Sequence, residues 1–481
     1  MAVAIGGFCV QLDAFALNMA LPVIRRDLHA SVAAGPWVIS GYLLAAGTLM
    51  PAAGRLADVF GRRRLLVLGL VLFGVASAAC ALAPSLPFLV AARVVQGAGG
   101  ALVMPVGLAL LTRSFPPGRA SVATGYALGL AGLATACGPF VGGALAQALS
   151  WRAVFWVNVP LCMAAVLCAR RAPEPRDGED DREGRGSQDS RGGSSERGIR
   201  EGRGGRDRCG GLEGRRWWSA LALGSGVPAC LVMAVESVGA WWRTAGWGTG
   251  ALALGALFVR AERRSRAPLI DLALIRNAPY VALTSAGAVA NAATVVLLFV
   301  VPLALQEVWG MTVLGAGTAF LVPAAVMAMA GPVAGQVPAR VAEPVMAACL
   351  GLAAAALGTL AAPPIFDPAP GGTGGVPAGT GPAPGGGVPL VLLSAATVAA
   401  AALGVAGALV LTATQAVVRP DRVGEASGLT KCAITVTAGL GLAPAGAAPA
   451  AALYGAAAGC VAACLALLLR HLRRRRQWRH L

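Results

Sequence analysis

One acidic residue lies in the middle of the first apolar stretch of the chain. Asp13 is the only charged residue between Met1 and Ile24. An ionised carboxylate at the centre of a membrane helix costs roughly 2.5–3.5 kcal/mol on insertion scales. Because an apolar site disfavours the ionised form, this carboxyl could take up and release protons near neutral pH. The alternative is an acid that faces a watery vestibule and has no proton role.

A basic residue and an amide share one face of another apolar stretch. Arg93 and Gln96 are three residues apart and are followed by Gly97, so they lie on the same side of a helix. A guanidinium stays protonated and needs a carboxylate, a water or a carbonyl partner, unless it extends to the membrane surface. If Arg93 contacts Asp13, it favours the ionised carboxylate, and loss of that contact favours proton uptake.

A short charged segment separates two long apolar runs. Residues 54–66 have the pattern Gly-x-x-x-Asp-x-x-Gly-Arg-Arg, with Gly54, Asp58, Gly61 and Arg62 at its fixed positions. The glycines allow a tight turn with close helix packing. A basic loop that only fixes the orientation of the chain is the alternative.

The composition predicts an all-α polytopic membrane protein. Of 481 residues, 57% are hydrophobic and 13% are charged, against about 25% charged in ordinary soluble domains. The net charge of +17 comes from arginines that cluster in loops on one predicted side of the membrane, so we expect no nucleic-acid partner. No nucleophile–base pair, phosphate loop or metal-ligand cluster is evident, and we expect neither an enzyme nor a metal site.

The apolar runs predict fourteen transmembrane helices. An even number places both termini in the cytoplasm, as the basic C-terminal tail requires. The predicted spans are 1–22, 37–57, 65–83, 86–111, 122–148, 151–169, 217–238, 241–259, 279–305, 313–334, 344–362, 389–415, 429–447 and 449–469.

Two segments have no membrane character. Residues 170–216 contain 13 arginines and 11 acids, which predicts a disordered cytoplasmic linker. Residues 363–388 are rich in Pro and Gly and predict a long outer loop. Both are interpreted as spacers, with a regulatory role as the alternative. The domains are then an N-terminal bundle (1–169), the linker, two extra helices (217–259), a C-terminal bundle (260–470) and a basic tail (471–481).

These motifs together resemble the major facilitator superfamily, in particular its branch of fourteen-span drug:proton antiporters. The loop at 54–66 is similar to the signature between helices 2 and 3. The glycine-rich stretch in the fifth span is similar to a motif associated with antiporters. The other matching positions lie in the first, fourth and fifth helices: Asp13, Asn18 and Pro22; Arg93, Gln96 and Gly97; Gly138, Pro139, Gly142 and Gly143.

The resemblance implies a fold of two six-helix bundles with two extra central helices. It implies that Asp13 and Arg93 couple protons, and that Asp58, with Arg62, Gly54 and Gly61, forms a conformational latch. A local Asp58–Arg62 pair is the alternative to the latch, and helix packing alone is the alternative for the glycines of the fifth span. Candidate residues of the substrate cavity are Phe15, Met19, Tyr42, Met104 and Asn291.

The function implied is proton-coupled export of hydrophobic or cationic drugs by alternating access. We expect no cofactor, the proton motive force as the energy source, an amphipathic small-molecule substrate, the bacterial plasma membrane as the location, and a monomer. The alternatives are a narrow-substrate exporter of a secondary metabolite or siderophore, an importer, and a membrane sensor of the same fold that transports nothing.

Overall fold

The fold is known from a computed structural model of the chain. It describes residues 1–31, 34, 35, 37–114, 130, 133, 134, 137–171, 227, 230, 241–264, 274, 276–338, 341–362, 387–418, 423–442, 445 and 448–479. These residues form thirteen helices with the following bounds: α1 Ala2–Asp27, α2 Trp37–Phe60, α3 Arg62–Ala81, α4 Leu86–Ser114, α5 Trp151–Arg171, α6 Trp241–Arg264, α7 Ala278–Glu307, α8 Val313–Ala319, α9 Leu321–Gly335, α10 Ala342–Leu360, α11 Gly387–Ala416, α12 Val423–Leu442 and α13 Pro449–Arg479. Residues 137–148 form a further helical segment.

Most of these helices have the length and apolarity of membrane spans. Within the described ranges, eight helices are long and apolar enough to cross a bilayer, and nine if α8 and α9 count as one bent span. Nearly all of the predicted span 217–238 and part of the span 122–148 lie outside the described residues. The all-helical membrane fold expected from the sequence is therefore present.

The predicted span 313–334 is broken in the middle. Its two parts, α8 and α9, meet at an angle of 41°. Pro323 lies four residues after Ala319, the last residue of α8. Proline has no N–H to donate to that carbonyl, and its ring collides with the carbonyl in a regular helix. The break therefore follows from one residue.

The helices form two groups that we call the first half and the second half. In the first half, α2, α3 and α4 pack side by side, and α1 and α5 close the group. In the second half, α7 packs on α11, α12 and α13, and α10 packs on α11 and α13. Contacts of α1 with α7 and α8, and of α2 with α12, join the halves.

The outward faces of the helices are apolar. Val75 on α3, Leu252 on α6 and Leu465 on α13 are each more than half exposed. Exposed large apolar side chains on long helices are stable where lipid covers them.

Two domain boundaries of the sequence analysis fall inside helices. Helix α5 extends to Arg171, two residues into the segment assigned to the linker, and α13 continues to Arg479, through the segment assigned to the tail. The rest of the linker and most of the 363–388 loop lie outside the described residues.

Candidate functional site

An ion pair lies at the centre of the first half. Asp13, midway along α1, contacts Arg93 of α4 through its Oδ2 atom and the Nη1 atom of the guanidinium. Both side chains have no exposed surface. Two charges in an apolar interior are tolerated only when they are paired and hydrogen-bonded. The helices that surround the pair must therefore supply further polar partners.

The second oxygen of Asp13 receives two amide groups. Gln96 of α4 donates from Nε2 to Oδ1 over 3.1 Å. Asn158 of α5 donates from Nδ2 to the same oxygen over 2.8 Å. The carboxylate thus accepts three hydrogen bonds, a number that matches its ionised form.

The guanidinium of Arg93 is fixed on several sides. Its Nε donates to the carbonyl of Val38 on α2 over 3.0 Å, and its Nη1 donates to Gln96 Oε1 over 2.6 Å. It lies 4.3 Å from the centre of the Tyr42 ring and 5.8 Å from that of Phe155. Stacking of a cation on aromatic faces stabilises it where water is absent.

Helix α3 supplies a further hydrogen-bond partner for Gln96. Its Nε2 also donates to Ser77 Oγ over 2.7 Å, and the Ser77 hydroxyl donates to the Phe73 carbonyl over 2.8 Å. We call the joined side chains the polar cluster: Asp13, Tyr42, Ser77, Arg93, Gln96 and Asn158. All six are buried, and all belong to helices of the first half.

The structure brings together three residues singled out in the sequence and adds others. Asp13, Arg93 and Gln96 meet directly. Asn158 and Ser77 were not predicted as site residues, because one uncharged polar residue in an apolar helix does not reveal its partner. A buried carboxylate that needs several donors is the signal that could have pointed to Asn158.

The glycines of the fifth span lie where helices approach one another closely. A Cβ atom at Gly142 would lie 2.7 Å from Ala16 Cα on α1, and one at Gly138 would lie 2.7 Å from Phe15 Cβ. A Cβ atom at Gly143 would lie 2.9 Å from the carbonyl of Val313, in the second half. These positions therefore connect α1, the helical segment 137–148 and α8.

The charged loop is a one-residue joint between α2 and α3. Gly61 has φ 89°, a conformation that glycine adopts without strain. Arg63 fixes the start of α3 by donating from Nε to the carbonyl of Ala169 at the end of α5, over 2.8 Å. The side chain of Asp58 lies outside the described residues, so the latch formed with Gly54, Gly61 and Arg62 stays a prediction.

The candidate cavity residues occupy packed positions in this conformation. Tyr42 belongs to the polar cluster. Met19 is fully buried, and its carbonyl accepts from Gln306 Nε2 over 3.5 Å. Phe15 and Met104 are half-buried against the apolar core. Asn291 donates to the carbonyl of Ile434 over 3.1 Å. Their role in substrate binding stays a prediction. Asn18 is also buried, on α1.

The two halves meet through polar contacts at the C-terminal end of α1. Arg25 of α1 forms an ion pair of 2.9 Å with Glu307 of α7. Gln147 accepts from the backbone N–H of Leu314 over 2.8 Å. Together with the bond from Gln306 to Met19, these contacts form what we call the seam: Met19, Arg25, Gln147, Gln306, Glu307 and Leu314.

The chain matches the sequence profile of a known protein family. The sequence profile described as "Major Facilitator Superfamily" matches residues 3–442. The chain belongs to this superfamily. The members of this superfamily are multi-pass membrane transporters rather than enzymes.

Relatives within the superfamily include antibiotic resistance proteins. The chain is 34% identical over 353 residues to the tetracenomycin C resistance and export protein of Streptomyces glaucescens. The aligned region covers 71% of this chain and 58% of that protein. It is 38% identical over 169 residues to the methylenomycin A resistance protein of Bacillus subtilis. This aligned region covers 35% of this chain and 36% of that protein. The chain thus matches less than two thirds of the length of either relative.

A solved structure has the same fold. The crystal structure of a D-xylose–proton symporter superposes with a TM-score of 0.63 and covers 97% of this chain and 95% of the symporter. The sequence identity is 13%, so the likeness concerns the major facilitator fold alone.

Proposed function

We propose that this superfamily member is a proton-coupled antiporter that exports hydrophobic or cationic antibiotics by alternating access. It lies in the bacterial plasma membrane with both termini in the cytoplasm, and the proton motive force drives it without a cofactor. In this orientation, the seam lies on the outer side of the membrane.

The observation that carries the proposal is the buried pair of Asp13 and Arg93. Since Arg93 keeps its proton at any physiological pH, the carboxyl of Asp13 is the group of the pair whose charge can change. A proton on Asp13 removes the attraction that holds α1 to α4. Proton entry from outside is favoured by about 2.3 kcal/mol per charge per 100 mV of membrane potential, and this energy would drive export.

The closed seam supports alternating access. Three polar contacts and the close approach of Gly143 to Val313 hold the halves together at the outer end of α1. A cavity between the halves would then open toward the cytoplasm in this conformation. Outward opening would require that Arg25 separates from Glu307 and that Gln147 separates from Leu314.

The relatives supply the proposed class of cargo. Two of them are named for resistance to tetracenomycin C and methylenomycin A, and the first also for export. The second candidate function, a narrow-substrate exporter of a secondary metabolite, is favoured by the name of the tetracenomycin relative. Drug susceptibility tests in an efflux-deficient host distinguish the two, because a broad exporter raises resistance to several unrelated compounds.

The experiment that tests proton coupling uses purified protein in liposomes with an imposed pH gradient. Asp13→Asn is expected to abolish gradient-driven movement of a cationic dye such as ethidium. The matched control is Asp27→Asn, on the same helix but outside the polar cluster with a 45% exposed side chain. Full coupling in Asp13→Asn would remove Asp13 from the mechanism. A membrane sensor is favoured if the wild-type protein moves no ethidium and replacing Asp13, Asp58 or Arg93 has no effect.

A further inference from the structure

The two oxygens of Asp13 are not equivalent for proton uptake. Oδ2 faces Arg93, whose guanidinium always donates and never accepts a hydrogen bond. A proton added to Asp13 therefore belongs on Oδ1. That oxygen already receives N–H groups from Gln96 and Asn158, and a new O–H needs an acceptor in place of one of these donors.

Gln96 cannot become this acceptor. Its Nε2 donates to Ser77 Oγ as well as to Asp13, while its Oε1 accepts from Arg93 and from the thiol of Cys80 at 3.7 Å. Turning the amide would place its N–H groups against the guanidinium. The hydroxyl of Ser77 could not compensate, because it already donates to the Phe73 carbonyl.

Asn158 is free to turn. Its Nδ2 donates to Asp13, and its Oδ1 is buried without a hydrogen-bond partner among the residues that the structure describes. Rotation of the terminal amide exchanges the two atoms, and this torsion has a broad, roughly two-fold preference. Since nothing bonds to Oδ1, the rotation breaks no hydrogen bond on the far side of the amide.

We propose that Asn158 is a positioning residue whose amide turns when Asp13 is protonated. It donates Nδ2–H to the ionised carboxylate and, after turning, accepts the O–H of the neutral acid at its own Oδ1. The proton comes from water on the open side, stays on Asp13 during the conformational change, and leaves to water on the other side. Asn158 neither gains nor loses a proton. This inference rests on the proposed proton-coupled function.

The other groups around Asp13 do not replace Asn158 as the hydrogen-bond acceptor of the Asp13 O–H. Tyr42 of α2, Cys80 of α3 and Cys9 of α1 lie close enough to interact electrostatically with Asp13, and Cys162 of α5 lies beside Cys9. In the part of the chain that the structure describes, none of these four side chains is hydrogen-bonded to Asp13, whereas Asn158 is. Arg93 of α4 is the charged neighbour, and it can only donate.

The decisive measurement is infrared difference spectroscopy of the wild-type transporter with isotope-labelled asparagine, between alkaline and acid pH. Acidification is expected to produce a carboxylic acid C=O band from Asp13 and, at the same pH, a shift of an asparagine amide band. Asp13→Asn should remove both changes. A carboxylic acid band without any asparagine shift would overturn the inference.

Two variants test the role in transport. Asn158→Leu keeps the size and removes both hydrogen-bonding atoms, whereas Asn158→Ser supplies a hydroxyl that donates or accepts by rotating. We expect Asn158→Leu to move the pH midpoint of ethidium efflux by more than about half a unit and to slow efflux about tenfold. Asn158→Ser should stay within about twofold of the wild-type rate.

The outcomes separate the inference from the proposed function. If Asp13→Asn abolishes coupled efflux while Asn158→Leu keeps the wild-type pH profile, the inference fails and the function stands. If Asp13→Asn keeps coupling, the proposed function fails, and the inference that rests on it fails as well. Should Asn158→Leu not fold, the wild-type infrared spectrum still decides whether the amide turns.

Discussion

Asp13 and Arg93 stabilise each other in a place where either alone would be costly. Removing one partner of a buried ion pair typically costs about 3–5 kcal/mol, because the other charge loses its compensation. Replacing both with uncharged residues of similar size is often nearly neutral. The pair therefore contributes little net stability to the fold.

The first prediction separates charge from packing at this pair. Asp13→Asn should lower the thermal midpoint in detergent, because Arg93 stays charged among Tyr42 and Phe155. The double variant Asp13→Asn/Arg93→Met should be more stable than Asp13→Asn, by about 2 kcal/mol or more. Both proteins would lack gradient-driven efflux. A double variant less stable than Asp13→Asn would show that the site tolerates the unpaired guanidinium.

Residue chemistry could be predicted from the sequence where a charge was involved, and for Gln96 from its spacing to Arg93. A carboxylate and a guanidinium in apolar helices each need a partner, so their meeting follows from the cost of isolation. Ser77, Asn158 and the ring of Tyr42 carry no such constraint. Each is acceptable in an apolar helix for several reasons, and only the packing of α2, α3 and α5 around the Asp13–Arg93 pair of α1 and α4 selects one of them.

At the scale of helices, Gly142 sets the distance between α1 and the segment 137–148. A methyl group there would lie 2.6 Å from the carbonyl carbon of Ala16, which requires the helices to move apart. Gly142→Ala should therefore destabilise the protein by about 1–3 kcal/mol, the usual cost of overpacking. Thermal unfolding measures the effect.

The matched control for Gly142 is Gly358 in α10. A Cβ atom at Gly358 meets nothing within 4 Å, so Gly358→Ala should be neutral or stabilise by about 0.4–1 kcal/mol through the unfolded state. Equal effects of the two substitutions would mean that close contact with α1 is not the reason for Gly142.

Gly61 determines how α2 connects to α3. Its φ of 89° is strained for a residue with a side chain, although a Cβ atom there would meet nothing within 4 Å. Gly61→Ala should cost about 1–3 kcal/mol from the backbone alone. Gly335 at the C-terminal end of α9 has open space around a Cβ position and lacks the unusual φ. Gly335→Ala should therefore leave the thermal midpoint unchanged, and a similar loss at both sites would contradict the backbone argument.

The positions of the helices could be predicted from the apolar runs, but whether each helix is continuous could not. The span 313–334 was expected as one helix because its hydrophobicity is uninterrupted. Proline inside membrane helices is common, as Pro22 of α1, Pro105 of α4 and Pro160 of α5 show. The sequence therefore does not distinguish Pro323, which breaks a helix, from prolines that do not.

At the scale of the whole molecule, the seam is expected to control opening on the outer side. Replacing Glu307 with Arg places two positive charges at the Arg25 contact and should shift the population toward a conformation with separated halves. Exchanging both charges, as Arg25→Glu/Glu307→Arg, should restore the closed population. Disulfide formation between cysteines at positions 147 and 314 measures closure.

The internal control is the ion pair of Arg152 and Asp27, which has a similar distance of 2.8 Å but joins α1 to α5 within the first half. Charge reversal at Arg152 should leave the crosslinking yield within about twofold of the starting protein. A loss as large as that of Glu307→Arg would mean that any charge change at this end opens the molecule.

The residence of the whole polar cluster in one half has an evolutionary consequence. The machinery that we propose converts the electrochemical gradient into motion lies on α1 to α5, and α1 alone carries both Asp13 and the seam residues Met19 and Arg25. Helices α9 to α13 contribute no side chain to the polar cluster or to the seam, so substitutions in these helices leave both sets of contacts intact. We therefore expect sequence variation among descendants of this protein to be tolerated better in those five helices than at the six positions of the polar cluster.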